Sequence, residues 1–198
     1  MGESMKPLAM REASLADYKL NRRRFLQWGA LAAAIGLSPH AALSNASGLQ
    51  APERSLAFYN THTGERLSTV YWIQGKYLPE ALADVDYVLR DHRTDEVKAI
   101  DLQLLDLLHA IGRILESQRP FYIISGYRSP ATNAYLRFFD GGVAEHSLHI
   151  DGKAVDLRLP GYATINLRHV AVALRAGGVG YYRRSDFVHI DVGRIRYW

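Results

Sequence analysis

A stretch of eleven residues, 146–156, constrains this chain more than any other. Its sequence, HSLHIDGKAVD, places His149 and Asp156 seven residues apart, where a polar loop passes into an alternating strand pattern. A further histidine, His189, lies near the C-terminus in a second strand pattern, FVHIDVG. Two histidines and one carboxylate are a common protein ligand set of catalytic zinc sites, which keep a fourth position open for water. The sequence therefore predicts a metal site, provided that the fold brings the two segments together.

The composition restricts what such a site can contain. The 198 residues include no cysteine, so that disulfides and thiolate ligands are excluded and any metal must be held by His, Asp or Glu. The net charge of +4 suits an anionic polymer. No Lys/Arg-rich run with interleaved aromatic residues is present, and we therefore expect no nucleic-acid partner.

The N-terminal residues carry a targeting pattern. Arg22 and Arg23 precede an apolar stretch over residues 28–37, and small residues follow as far as Ala46. This pattern resembles a twin-arginine export signal, so we expect delivery to the periplasm by the twin-arginine export machinery. An apolar run of about ten residues is too short to cross a bilayer, which needs about 20, and no stable membrane span is expected after processing. An uncleaved amphipathic anchor is the alternative.

Hydrophobic periodicity divides the chain into a signal segment (1–46), a linker (47–54) and one domain (55–198). Within the domain, apolar alternation predicts strands and a 3.6-residue period predicts helices. The predicted strands are 54–59, 66–72, 121–124, 153–159 and two short strands within 178–193, and the predicted helices begin near residues 79, 102, 131 and 166. We expect an α+β domain in which helices pack on a small, mainly antiparallel sheet.

Several polar residues near the predicted ligands suit peptide hydrolysis. A bound zinc ion lowers the pKa of its water to about 7, and a general base then removes a proton as the water attacks a carbonyl. Asp186 and Asp191, three residues before and two after His189, are alternative bases. Arg128, on a loop after a buried strand, is a candidate to bind substrate or stabilise an oxyanion, and Ser147 is a candidate to orient a ligand.

The organising stretch also fits a longer pattern, S-x-H-x-x-G-x-A-x-D, carried by Ser147, His149, Gly152, Ala154 and Asp156. ISGYRSP precedes it and GGVGYY and FVHIDVG follow it. Together these motifs resemble those of the zinc D-alanyl-D-alanine peptidases and their murein endopeptidase relatives. The likeness covers nearly the whole of the predicted domain.

The resemblance implies a fold shared with D-alanyl-D-alanine peptidases and Hedgehog signalling domains, with zinc held by His149, Asp156 and His189. It implies a zinc metallopeptidase that hydrolyses peptide cross-links of peptidoglycan, in particular the L,D-bond between two meso-diaminopimelate residues, and also D-alanyl-diaminopimelate cross-links. Arg128 matches an arginine that related carboxypeptidases use near the scissile bond. Those carboxypeptidases have a glutamate base at the position of Asp186, whose side chain is shorter.

Two other functions remain open at this point. One is a D,D-carboxypeptidase that removes D-alanine from free D-Ala-D-Ala ends. The other is a non-catalytic, zinc-stabilised peptidoglycan-binding domain. The acidic and basic candidates Asp186, Asp191 and Arg128 favour catalysis, because a purely structural metal site needs none of them. We expect Asp186→Asn to keep zinc and lose most turnover, whereas full activity would shift the role of base to Asp191.

Overall fold

The computed structural model describes residues 52–139 and 143–198. The strands are β1 (Glu53–Asn60), β2 (Arg66–Ile73), β3 (Lys76–Tyr77), β4 (Phe121–Ser125), β5 (Ala154–Arg158), β6 (Gly178–Tyr182), β7 (Phe187–Asp191) and β8 (Arg196–Tyr197). The helices are α1 (Pro79–Val88), α2 (Leu102–Ile114), α3 (Pro130–Phe139) and α4 (Thr164–Leu174). The predicted signal segment and residues 47–51 of the predicted linker lie outside the described residues, and the end of that linker already belongs to β1.

One sheet contains all eight described strands, in the order β3-β2-β1-β4-β5-β7-β6-β8. The pairs β1·β4 and β6·β8 are parallel, and the other five neighbouring pairs are antiparallel. The mixed content of helices and strands confirms the prediction at that level. The sheet is larger than expected, since two-residue strands extend both of its edges and a parallel pairing of β1 with β4 joins the N-terminal hairpin to the rest.

The helices begin and end where local chemistry favours it. Pro79 occupies the first turn of α1, where its missing N–H costs nothing. The Asp101 side chain accepts a hydrogen bond from Gln103 N at 2.9 Å and caps α2, whose start agrees with the one predicted near residue 102. The fourth helix begins at Thr164, two residues before the predicted start near residue 166, and its N-cap is Ala163. Among the described residues, no helix is long and apolar enough to cross a membrane.

Strand β5 lies in the interior of the sheet, between β4 and β7, and its two faces serve different purposes. Val155 and Leu157 are fully buried in the hydrophobic core, together with Val188 and Ile190 of β7. Side chains alternate along a strand, so Asp156 points to the opposite face. This alternation separates the core that stabilises the sheet from a polar face that can carry chemistry.

Candidate metal centre

Strand pairing brings two predicted ligands together. Asp156 of β5 and His189 of β7 are direct partners in the antiparallel register, and both lie on the face away from the hydrophobic core. Directly opposed residues have Cβ atoms about 4.5–5.5 Å apart, so their side chains can share one partner. His149 reaches the same point from the turn before β5 and is buried there.

Three ligand atoms form a small triangle at this point. His149 Nε2 lies 3.2 Å from His189 Nδ1 and 3.3 Å from Asp156 Oδ1, and His189 Nδ1 lies 2.9 Å from the same oxygen. Tetrahedral zinc with bonds of about 2.0–2.1 Å holds its ligand atoms roughly 3.4 Å apart. Among the described residues, this is the only group of three or more acidic or metal-ligating side chains whose ligand atoms converge. Its dimensions fit a metal ion.

Hydrogen bonds on the far side of each ring fix which nitrogen faces the triangle. His149 Nδ1 donates to the carbonyl of Gly126 at 2.7 Å, and His189 Nε2 donates to Asp191 Oδ2 at 3.0 Å. Both acceptors lack a proton of their own, so His149 Nε2 and His189 Nδ1 are left to present lone pairs. Two lone pairs and a carboxylate oxygen repel one another when they face each other at about 3 Å. A cation bound between them removes this repulsion.

The charge states in the metal-free protein agree with this interpretation. Burial lowers the pKa of His189, but its hydrogen bonds to Asp156 and Asp191 outweigh burial and raise the pKa to about 8. Burial raises the pKa of Asp156, but the adjacent His149 and His189 outweigh it and hold that pKa well below its usual range. A metal ion and a proton therefore compete for the same lone pair on His189.

Two glycines allow the loops that position His149 to approach their neighbours closely. A Cβ at Gly126 would overlap the carbonyl oxygen of Leu89, and the Gly126 carbonyl orients the His149 ring. Gly152 has φ +68°, and a Cβ there would overlap the carbonyl oxygen of Ala99. The glycines of the two sequence motifs are thus required by the packing around the candidate ligands.

Arg128 lies beside the triangle. Its guanidinium NH2 group is 3.4 Å from Asp156 Oδ2 and 3.3 Å from Ser125 Oγ, and its backbone N–H donates to the carbonyl of His149. Its Nε–H is buried and has no hydrogen-bond partner among the described residues. The structure therefore brings Arg128 to the site, where it also lines the adjoining cavity.

Asp191 contacts the back of the His189 ring. Its buried carboxylate accepts hydrogen bonds from His189 Nε2, from the backbone N–H groups of Gly178 and Gly193, and from both terminal nitrogens of Arg196. Burial raises the pKa of Asp191, but the hydrogen bonds from His189 and the two backbone groups outweigh it and lower the pKa to about 2. This carboxylate therefore lies across the ring from Nδ1, on the side of His189 that faces away from the triangle.

Asp186 is the predicted residue that the structure does not bring to the triangle. It adopts a left-handed backbone conformation with φ +52°, accepts a hydrogen bond from the hydroxyl of Thr164, and lies 3.8 Å from an Arg158 nitrogen. The cavity at the triangle is lined by its neighbours Ser185 and Phe187, but not by Asp186 itself. The sequence indicated its spacing from the last histidine but not the direction of its side chain.

Ser147 lies at the cavity, although the orienting role expected of it is carried by other groups. Its carbonyl accepts a hydrogen bond from Ile150 N at 3.0 Å and closes the turn that contains His149. Among the described residues, no hydrogen bond joins its hydroxyl to a ligand. Sequence reasoning missed the orienting carbonyl of Gly126, because a backbone group has no residue-type signal.

The triangle opens into a cavity of about 590 Å³. One wall comes from the C-terminal strands and includes Tyr182, Phe187 and Trp198. The Trp198 ring packs 5.3 Å from the His189 ring, between centroids, and Trp198 Nε1 donates to the Tyr182 hydroxyl. The lining also contains Leu136 of α3 and residues 143–144 and 146–148 of the loop that follows it. A ligand of moderate size can reach the triangle through this cavity.

Comparison with known proteins gives one consistent result. A family model described as "Peptidoglycan L,D-endopeptidase MepK" matches residues 49–198. The chain is 40% identical over 182 residues to the peptidoglycan L,D-endopeptidase MepK of Escherichia coli K12, a match that covers 91% of this chain and 98% of that protein. It is 39% identical over 179 residues to a probable peptidoglycan L,D-endopeptidase MepK of Haemophilus influenzae, covering 90% and 95% respectively. No solved structure matches the chain significantly.

Proposed function

This chain belongs to the family of the peptidoglycan L,D-endopeptidase MepK, and we propose that it hydrolyses peptide cross-links of peptidoglycan with the aid of a zinc ion. The bond we assign is the L,D-bond between two meso-diaminopimelate residues, with D-alanyl-diaminopimelate cross-links as further substrates. The observation that carries the proposal is the triangle of His149 Nε2, Asp156 Oδ1 and His189 Nδ1 at the base of an open cavity. The lengths of the family matches support a function for the whole domain.

We assign zinc to His149, Asp156 and His189, because a set of two imidazoles and one carboxylate suits that metal. Zinc bound there supplies a Lewis acid and a water whose pKa is lowered to about 7. Gly126 and Asp191 keep the two imidazoles in the tautomers that face the metal. The three ligands are buried, which limits the access of water that would compete for them from the side of the sheet.

Arg128 is proposed to bind the substrate beside the metal. Arg128 lines the cavity, and its guanidinium can donate to a substrate carboxylate or to the oxygen that gains charge during attack. The nearby Asp156 Oδ2 holds the guanidinium in place. Removing one donor of this kind costs about 10²–10³ in turnover. We therefore expect Arg128→Ala to lose activity to that extent and to retain zinc, as measured by metal analysis beside a turnover assay.

One substitution tests whether Asp186 is the base. Because the Asp186 carboxylate bonds to Thr164 and lies outside the cavity lining, we expect Asp186→Asn to keep its zinc and most of its turnover. This expectation differs from the one drawn from sequence spacing. Loss of most turnover with zinc retained would mean that the carboxylate leaves Thr164 and takes the proton during the reaction.

Export and domain organisation are part of the same proposal. The paired Arg22 and Arg23 and the apolar residues that follow support twin-arginine export of residues 55–198 as a folded domain to the periplasm, after a signal in 1–46 and a linker in 47–54. Peptidoglycan lies outside the cytoplasmic membrane, which supports the same location. The mixed sheet and its four packed helices are consistent with the fold of D-alanyl-D-alanine peptidases and Hedgehog domains, which we propose for this chain.

The proposal is tested by digesting cross-linked muropeptide dimers of defined linkage and resolving the products by mass. The samples are the protein with zinc, the protein with a chelator, and Asp156→Ala. We expect dimers to fall to monomers only where zinc and Asp156 are both present, and the dimer consumed identifies the bond. Dimers that keep their cross-link but lose D-alanine would indicate a carboxypeptidase, and unchanged dimers without any product would indicate a binding domain.

A further inference from the structure

Three aromatic side chains of α3 form an exposed cluster, which we call the α3 aromatic cluster: Tyr135, Phe138 and Phe139. Their exposed fractions are 56%, 83% and 66%. The ring centroids of Tyr135 and Phe139 are 4.7 Å apart, and those of Phe138 and Phe139 are 5.0 Å apart. Single exposed apolar residues are ordinary on a protein surface, whereas a contiguous group marks a surface that binds something.

The α3 aromatic cluster is fixed next to the candidate metal centre. Leu136, on the same helix, lines the cavity. Asn133 Nδ2 donates to the carbonyls of Ala144 and Glu145 at 3.1 and 3.3 Å, and Arg137 forms an ion pair with the Glu145 side chain at 3.2 Å. These contacts join α3 to the loop that leads into His149. The cluster therefore lies on a helix that also contributes to the cavity lining through Leu136, although none of the three rings lines the cavity itself.

We propose that the α3 aromatic cluster is a subsite for the glycan strand of the substrate. The inference rests on the proposed function, since it names the part of peptidoglycan that lies next to the cleaved peptide. A peptide bound in the cavity remains attached to a sugar. An extended chain spans about 3.3–3.6 Å per residue, so each residue between the cleaved bond and the sugar moves that sugar farther from the candidate ligands.

Sugar rings and exposed aromatic rings are chemically complementary. The face of an aromatic ring carries partial negative charge, and the C–H groups on one face of a pyranose carry partial positive charge. Three rings in mutual contact offer adjacent faces and edges to a repeating polymer, and flat stacking tolerates movement along the strand. The contacts that hold this helix against the loop lining the cavity favour the substrate's own glycan over a separate lipid or protein partner.

The test compares one pair of substrates across two variants. The substrates are cross-linked disaccharide-peptide dimers and the same dimers after an amidase has removed the sugars. The variant Phe138→Ser/Phe139→Ser removes the two most exposed rings, and serine and phenylalanine have similar helix propensities. Ile114→Ser is the matched control, because Ile114 is 55% exposed on α2 and does not line the cavity.

We expect the double variant to raise KM about tenfold for the sugar-bearing dimers and to leave KM for the sugar-free dimers unchanged. Ile114→Ser should match the wild type on both. An unchanged KM on sugar-bearing dimers, or an equal rise on both substrates, would overturn the inference. Binding of the wild type to phosphatidylglycerol vesicles that is lost in the double variant, with KM unchanged, would assign the cluster to a lipid surface instead.

A second measurement separates this inference from the proposed function. Glycan strands stripped of their peptides are sedimented with the zinc-loaded wild type and with the double variant. Wild-type protein that cleaves neither dimer refutes the endopeptidase, while selective cosedimentation of wild type with bare glycan still supports the subsite. Equal cosedimentation of wild type and double variant overturns it.

Discussion

Two pairs of histidines are in contact in this domain, and their geometries differ. The rings of His149 and His189 meet edge to face, with centroids 5.0 Å apart and an interplanar angle of 62°. The rings of His62 and His92 lie in loops outside the helices and strands and stack almost parallel, with centroids 3.9 Å apart and an angle of 5°. Closeness of the rings alone would favour the second pair.

The direction of the lone pairs decides between the two pairs. The lone pair of an imidazole nitrogen lies in the ring plane, so the lone pairs of two stacked rings run side by side and do not meet at one ion. The edge-to-face rings of His149 and His189 direct two nitrogens to one point, where Asp156 adds an oxygen. His62 Nε2 instead donates to the carbonyl of Ile124 at 3.0 Å. A metal centre is therefore recognised by convergent acceptors and not by neighbouring histidines.

The two pairs also differ in the pKa of a buried ring, because carboxylates form hydrogen bonds with His189. Burial lowers the pKa of both His92 and His189. For His92 the neighbouring His62 and Arg93 lower it further, to about 4, whereas for His189 the hydrogen bonds to Asp156 and Asp191 raise it to about 8. The two pairs thus differ in their neighbouring charged groups as well as in the orientation of their rings.

The largest effect that we predict comes from Asp156, the carboxylate that contacts both His149 and His189. Asp156→Ala should lose stoichiometric zinc and at least about a thousandfold in kcat/KM, since a catalytic metal contributes several kcal/mol to the transition state. The double variant His62→Phe/His92→Phe should keep both zinc and activity. Metal analysis and dimer hydrolysis measure the two quantities. Loss of zinc from the phenylalanine variant would break the distinction between the pairs.

A smaller effect is expected from the groups behind His189. Arg196→Met removes two hydrogen bonds from Asp191, which in turn orients the ligand ring. Changes in groups that hold a ligand from behind cost about 10–100-fold in metal affinity, and we expect about tenfold here. Competition with a zinc chelator measures the affinity.

Arg194→Met is the matched control for that variant, because Arg194 is exposed and lies two residues away. It should bind zinc as tightly as the wild type. Equal affinity of the Arg196 and Arg194 variants would show that Asp191 holds His189 without help.

The smallest effect concerns stability and pH at the stacked pair. The unfolded chain protonates His92 near its ordinary pKa of 6.5, and the native chain near 4. The unfolded state therefore binds more protons between these values, and the native state loses stability as the pH falls through that window. His92→Phe keeps an aromatic ring and removes this contribution.

Urea unfolding of both proteins at about pH 7.5 and about pH 5 measures the difference. We expect the stability of the wild type relative to His92→Phe to fall between the higher and the lower pH. The same relative stability at both values would contradict the lowered pKa of His92.

The sequence anticipated those parts of the site that depend on strand alternation. Alternation along β5 and β7 predicted that Asp156 and His189 lie on the face opposite to their apolar neighbours in each strand. The structure pairs these two residues across the strands. It also indicated that Asp191 shares the face of His189. Alternation assigns a face to a side chain but not a partner, and the hydrogen bond of Asp191 to the far side of the His189 ring could therefore not be predicted.

Other features of the site and the fold depend on contacts between segments that are far apart in sequence. The bond from the Thr164 hydroxyl to Asp186 joins residues 22 positions apart, and the stack of His62 on His92 joins two separate loops. No local pattern encodes either contact. The role of Arg196 is not encoded in a local pattern either, because it comes from the close approach of the C-terminal turn to the carboxylate of Asp191.

The most direct test of the central claim is anomalous diffraction at the zinc absorption edge from crystals grown with zinc. We predict one strong peak about 2.0–2.2 Å from His149 Nε2, Asp156 Oδ1 and His189 Nδ1, with its fourth side open to the cavity. A peak at His62 and His92, or no peak among the three predicted ligands at full zinc saturation, would contradict the claim.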